Sequence, residues 1–154
     1  MKQFVFVIIN VILFISCNRE SGQTKSDMPL TNSALEGTWK LIYADIREQD
    51  SVQIKDLDNT DFIKIINSSH FAFFNQERGT AENFIAGAGT YEFNGTDYTE
   101  SLDFINSPDL RGHTFPFKVE IKNDTLIQQG HEVVESAGID RYILEKYVRI
   151  NSNN

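Results

Sequence analysis

The chain has 154 residues, of which 40% are apolar and 12% aromatic, and its formal net charge is −8. That length suits one domain with short tails and supplies enough apolar mass for a single core. The acidic balance excludes the usual electrostatics of nucleic-acid binding, because phosphate backbones repel such a chain, and it offers anionic lipid headgroups no attraction.

Lys2 precedes an apolar stretch over residues 4–15, broken once by Asn10. Twelve residues are too few to span a bilayer as a stable helix, and the pattern reads as a signal peptide over residues 1–16. Cys17 follows and is the single cysteine, so no internal disulfide can form. The run Leu13-Phe14-Ile15-Ser16-Cys17 resembles a bacterial lipobox, with Phe14 standing where that motif usually has Leu. The resemblance implies cleavage before Cys17, diacylglyceryl attachment to its sulfur, and a lipid anchor in a membrane of the bacterial cell envelope, inner or outer. Two or more acyl chains hold a protein stably where one does not. Residues 17–33 are then the lipidated cysteine and a polar, flexible tether, residues 34–150 the folded domain, and residues 151–154 a disordered tail.

From Leu35 onward, alternation with period 2 dominates and sustained 3.6-residue periodicity is absent. Strands are predicted over residues 38–45, 62–66, 70–75, 90–93, 97–105, 115–122, 125–129 and 141–150. Asn94-Gly95 is the strongest hairpin signal, since a two-residue turn there needs positive φ at both positions. Asn123-Asp124 marks a further turn, and residues 49–58 read as a polar, irregular segment with room for a helical turn. An open meander of this size would expose two long edges to pairing with other chains. Closure removes the edges and leaves a lumen just wide enough for side chains or one small ligand. The expected fold is therefore all-β: a single antiparallel up-and-down β-barrel of about eight strands, ahead of a two-sheet sandwich.

Leu35-Glu36-Gly37-Thr38-Trp39-Lys40-Leu41 resembles the Gly-x-Trp opening of lipocalins, and Glu145-Lys146-Tyr147-Val148-Arg149 matches their last strand. His70-Phe71, Gly87-Ala88-Gly89-Thr90-Tyr91, Tyr98-Thr99-Glu100-Ser101, Phe115-Pro116-Phe117-Lys118-Val119 and Asp124-Thr125-Leu126 are similar to the lipocalin-like (calycin-like) domains of lipoproteins from Bacteroidetes-type bacteria. The resemblance spans residues 34–150. It implies a barrel whose base is closed by Arg149 stacked on Trp39, and it brings no activity with it.

Tyr98, Glu100, Leu102 and Phe104 share one strand face by period 2, which carries Glu100 toward the interior. A buried carboxylate needs partners, and Tyr98, His70 or Tyr91 are candidates to supply them. The expected lining of the barrel is Trp39, Tyr43, His70, Phe74, Tyr91, Tyr98, Glu100 and Phe117. No metal site is expected, because the three histidines lack ligand spacing. The acids of residues 56–61 lack the glycine and closing glutamate of a calcium loop. No nucleophile elbow or phosphate-cradling loop is present in the sequence. No cofactor and no enzyme activity is expected, with acid–base chemistry by Glu100 and His70 as the remaining enzymatic option. The leading expectation is a binding module for a small apolar or amphipathic molecule. The alternative is a packed barrel, filled by its 12 phenylalanines, that acts as an envelope interaction or scaffold protein. The sequence leaves the oligomeric state open.

Overall fold

The computed structural model describes residues 30–150. The expected signal peptide, Cys17, most of the expected tether and the tail lie outside them. A short helix α1 (Asn32–Leu35) leads into β1 (Gly37–Glu48), β2 (Ser51–Ile54), β3 (Thr60–Ile66), β4 (His70–Glu77) and β5 (Ile85–Asn94). β6 (Asp97–Ile105), β7 (Thr114–Lys122), β8 (Thr125–Val134) and β9 (Ile139–Arg149) follow among the described residues. All pairings are antiparallel, the order is β2-β1-β3-β4-β5-β6-β7-β8-β9, and β9 pairs back onto β1. This is a closed eight-stranded barrel with β2 as an additional strand.

β1 serves three partners. Its first residues pair with β3, from Gly37↔Ile66 to Lys40↔Ile63. Its last residues leave β3 and pair instead with β2, from Asp45↔Ile54 to Glu48↔Ser51. Its other edge pairs with β9 from Trp39↔Arg149 to Arg47↔Tyr142. The barrel is thus tied shut at the α1 end and splayed between β1 and β3 at the other. The segment expected to be irregular supplies β2. Gln49, at φ +51, makes the tight return that a polar residue tolerates.

The two turns exchange the roles expected of them. Asn123 and Asp124 both have positive φ, at +48 and +62, and close Lys122↔Thr125 as a two-residue turn. At the other hairpin Asn94 still pairs with Asp97, and of the Asn-Gly pair only Gly95 has positive φ. The hairpin forms, displaced by one residue from the expected turn.

Strand alternation puts Phe71 and Phe73 inside, together with Phe115, Phe117 and Val119, and turns their neighbours outward. Phe73 stands directly opposite Gly87, where an added Cβ would meet the ring at 2.5 Å. The glycine yields the space that the aromatic ring fills, which keeps a small barrel from overpacking. Two bulges shift the alternation. One lies in β1 between Leu41 and Tyr43, the other where Ala88 and Gly89 face Phe104 and Leu102. An extra residue at a bulge sends everything beyond it to the opposite face.

The base is sealed by α1. Leu35 and Trp39 are fully buried. The carbonyls at the end of a helix have no partner of their own. Here Trp39 Nε1 donates to Leu35 O at 2.8 Å, and Arg149 donates to Ala34 O at 2.7 Å and to Glu36 O. The Arg149 guanidinium sits 4.1 Å from the Trp39 ring centroid, within cation–π range. Gly37 has φ +147, and a Cβ there would run into Arg149 Nη1. A lysine cannot present two fixed donors to two carbonyls. Arg149→Lys is therefore expected to lower stability in urea denaturation by about 1–3 kcal/mol. An unchanged midpoint would remove the base plug from the account.

Candidate functional site

Inside the barrel lies a cavity of about 370 Å³. Ligand pockets typically span about 300–1,000 Å³, so this one suits a small molecule. Phe62, Phe73, Leu102, Ile105, Phe115 and Ile143 form apolar walls, and Lys55, Ile85 and Leu110 also border the space. Its charged and amide groups are Lys55, Lys64, Glu100, Gln128, Glu132, Arg141 and Glu145.

Each charged group has its place by strand alternation. Lys64 lies between inward Phe62 and Ile66 on β3, so the strand carries its ammonium into the lumen. Its side chain is 3% exposed. Nζ donates to Glu100 Oε1 on β6 and to Gln128 Oε1 on β8, the latter at 2.8 Å. Nζ also lies 5.4 Å from the ring centroids of Phe71 and Tyr98 and 5.8 Å from that of Tyr147. A buried ammonium is costly unless paired and hydrogen-bonded, and here a carboxylate, an amide and three aromatic faces surround it.

Glu145, on β9, stands opposite Gln128 in the ladder, and Tyr147 donates to its Oε2 at 2.6 Å. Burial pushes the Glu145 carboxyl above its ordinary value, against the pull of Lys64 and the Tyr147 bond. Burial and the neighbouring Glu145 charge raise the Tyr147 phenol well above its ordinary range. Glu132 and Arg141 are also ladder partners, with Nε donating to Oε2 at 2.7 Å. Burial raises the Glu132 carboxyl, and Arg141 opposes the shift. Lys55 is lowered by burial and partly restored by Glu145. The Tyr98 hydroxyl is buried without a hydrogen-bond partner, and burial followed by the Glu100 charge raises it well above its usual range.

Of the eight residues expected to line the barrel, Glu100 and Phe117 border the cavity. Trp39, Tyr91 and Tyr98 are buried in the core. Tyr91 hydrogen-bonds to Asn67 O, and its ring lies 5.1 Å from that of Tyr98. Three placements need correction. The β1 bulge turns Tyr43 to the outer face, where its hydroxyl donates to Asp45 at 3.0 Å and Lys146 lies over its ring. His70 and Phe74 belong to the outward register of β4, because Phe71 and Phe73 take the inward one; Phe74 is 41% exposed. His70 is exposed, with Nδ1 2.8 Å from Ser69 Oγ. It is therefore on the other side of the wall from Glu100, and the two cannot share a proton. Phe104 is likewise outside, displaced by the β6 bulge.

Sequence reasoning missed Lys64, Gln128, Glu132, Arg141 and Glu145. A signal existed: Lys64 interrupts the apolar set Phe62 and Ile66 on one face, as Glu145 interrupts Ile143 and Tyr147. Among the described residues no group of three or more His, Cys, Asp or Glu is placed to hold a metal ion. The Asp56 carboxylate instead accepts hydrogen bonds from Asp58 and Asn59 in its own turn. A family model described as Domain of unknown function (DUF4488) matches residues 34–154. No curated protein matches the chain.

The raised carboxyl of Glu145 makes stability depend on pH. Burial raises the folded-state carboxyl above its ordinary value of 4.5, so just above that value the folded protein binds more proton than the unfolded chain. The stabilisation is full below that value and is lost as pH rises through the folded-state value. Glu145→Gln cannot titrate, so as pH climbs above the ordinary carboxylate range its stability should rise relative to the unsubstituted chain. Urea denaturation at pH values through and above that range checks this; a relative fall with rising pH would contradict it.

Proposed function

The chain belongs to the DUF4488 family, and from its lumen we propose that it is a lipocalin-like binding protein of the bacterial cell envelope. It holds one small apolar or amphipathic molecule in the barrel and is anchored to the membrane through lipid on Cys17. The observation that carries this reading is the cavity of about 370 Å³, with apolar walls and polar side chains gathered around Lys64. Such a cavity provides a hydrophobic driving force and a few oriented polar contacts, the two requirements of a small-molecule site. The splayed β1–β3 edge supports access from the end opposite Trp39. A packed barrel acting only as a scaffold needs a filled lumen, and this volume weighs against it. The anchor rests on the lipobox resemblance around Cys17.

The neutral fluorophore Nile red should bind saturably, one per chain. Ala44 borders the cavity and is buried, so Ala44→Phe fills the space. It should weaken binding at least about tenfold with the fold retained by circular dichroism, since even a few lost wall contacts cost over 1 kcal/mol. Equal binding by both proteins would place the dye elsewhere and sink the lumen reading. In a bacterial host fed labelled palmitate, the chain should take up label and fractionate with membranes. Cys17→Ser should do neither, and a labelled Cys17→Ser protein would refute the anchor.

A further inference from the structure

Charge on the lumen wall is unevenly matched. Lys64 uses two of its three donors on Glu100 and Gln128 and is surrounded by three aromatic rings. Arg141 is engaged by Glu132 across the β8–β9 ladder. Lys55, also bordering the cavity, forms no ion pair with Glu145. Glu145 is left with one hydrogen bond, from the neutral Tyr147 hydroxyl, on Oε2 alone. Lys64 thus pairs with Glu100 and forms no ion pair with Glu145, on which its charge acts only from a distance.

Resting on the reading of the lumen as a ligand pocket, we propose that its occupant is an apolar amine: a hydrocarbon body lies against Phe62, Phe73 and Phe115, and a protonated amino group bonds to Glu145. A half-buried carboxylate facing the lumen without an ion-pair partner is costly to ionise. In the empty protein burial raises the Glu145 carboxyl, which shifts its balance toward the protonated form. An ammonium ligand meets that cost with a charge-assisted hydrogen bond in a water-poor space, where such bonds are roughly twice as strong as neutral ones. A carboxylate ligand would add negative charge beside Glu100, Glu132 and Glu145; Lys64 and Arg141 are already paired, and Lys55, held over the Phe62 ring and lowered by burial, is among the described residues the one unpaired lining cation it would meet. The lumen thus discriminates by the sign of the head group, and Glu145 is the residue that reads it.

The test is calorimetric titration of the whole chain with decylamine, decanol and decanoate, each kept below its micelle-forming concentration. These probes share a chain and differ in head. Decylamine is expected to bind about tenfold or more tightly than decanol, with decanoate weakest. Glu145→Gln should abolish the amine's advantage, so that decylamine and decanol bind the variant within about twofold of one another. Its circular dichroism and its decanol binding report that the variant is folded. Equal affinity for amine and alcohol, tightest binding of decanoate, or an amine preference that survives Glu145→Gln would each overturn the assignment while leaving the pocket standing. Absence of binding by all three probes would overturn the pocket reading itself, and the amine with it.

Discussion

Ring closure between β1 and β9 is the constraint on which the rest depends. β1 pairs with β9 along most of its length but with β3 only through its first four positions. The first contact makes a ring and removes the exposed edge that an open meander would present. The second stops short, and the released half of β1 folds back with β2. One end of the lumen is therefore closed and sealed, and the other is splayed. The seal concentrates at Arg149, whose guanidinium gives the carbonyls of Ala34 and Glu36 donors and covers Trp39. The first and last strands of the barrel are thereby fixed to one another, and the alternation of every strand is referred to a common centre.

A lumen fixed in this way converts ordinary alternation into an unusual polar interior. Lys64, Glu100, Gln128 and Glu145 come from four different strands, and they meet because all four face the same axis. Buried ion pairs contribute little net stability, since desolvation offsets most of the attraction. An apolar set of the same volume would hold the barrel at least as well. Retaining charge in the lumen costs stability and gives the cavity direction: hydrocarbon on its walls and hydrogen-bonding groups around Lys64 and Glu145. The glycine opposite Phe73 acts in the same sense, allowing a large ring inside without closing the space.

Much of the barrel was legible because its strands alternate cleanly. Phe115, Phe117 and Val119 against Lys118 and Glu120 leave one sensible orientation, and so do Tyr98 and Glu100. Legibility failed where both faces were apolar. The stretch from Phe71 to Phe74 has large apolar residues in both registers, and the space left opposite Phe73 by Gly87 favours the one observed. It failed again at the bulges, which moved Tyr43 and Phe104 outward through a one-residue shift that no local composition announces. The polar lumen was half visible. Glu100 followed from its neighbours, whereas its partner Lys64 lies 36 positions earlier on a strand not adjacent in the barrel. Such pairing is set by the ring as a whole and not by any pair of strands.

Native mass spectrometry of the protein purified from its own host addresses the central claim most directly, because it asks whether the lumen is filled in life. The account predicts one small-molecule adduct per chain, released on unfolding and missing when Ala44→Phe fills the space. A bare chain mass from the host-purified protein, or an adduct carried equally by the filled variant, would contradict it.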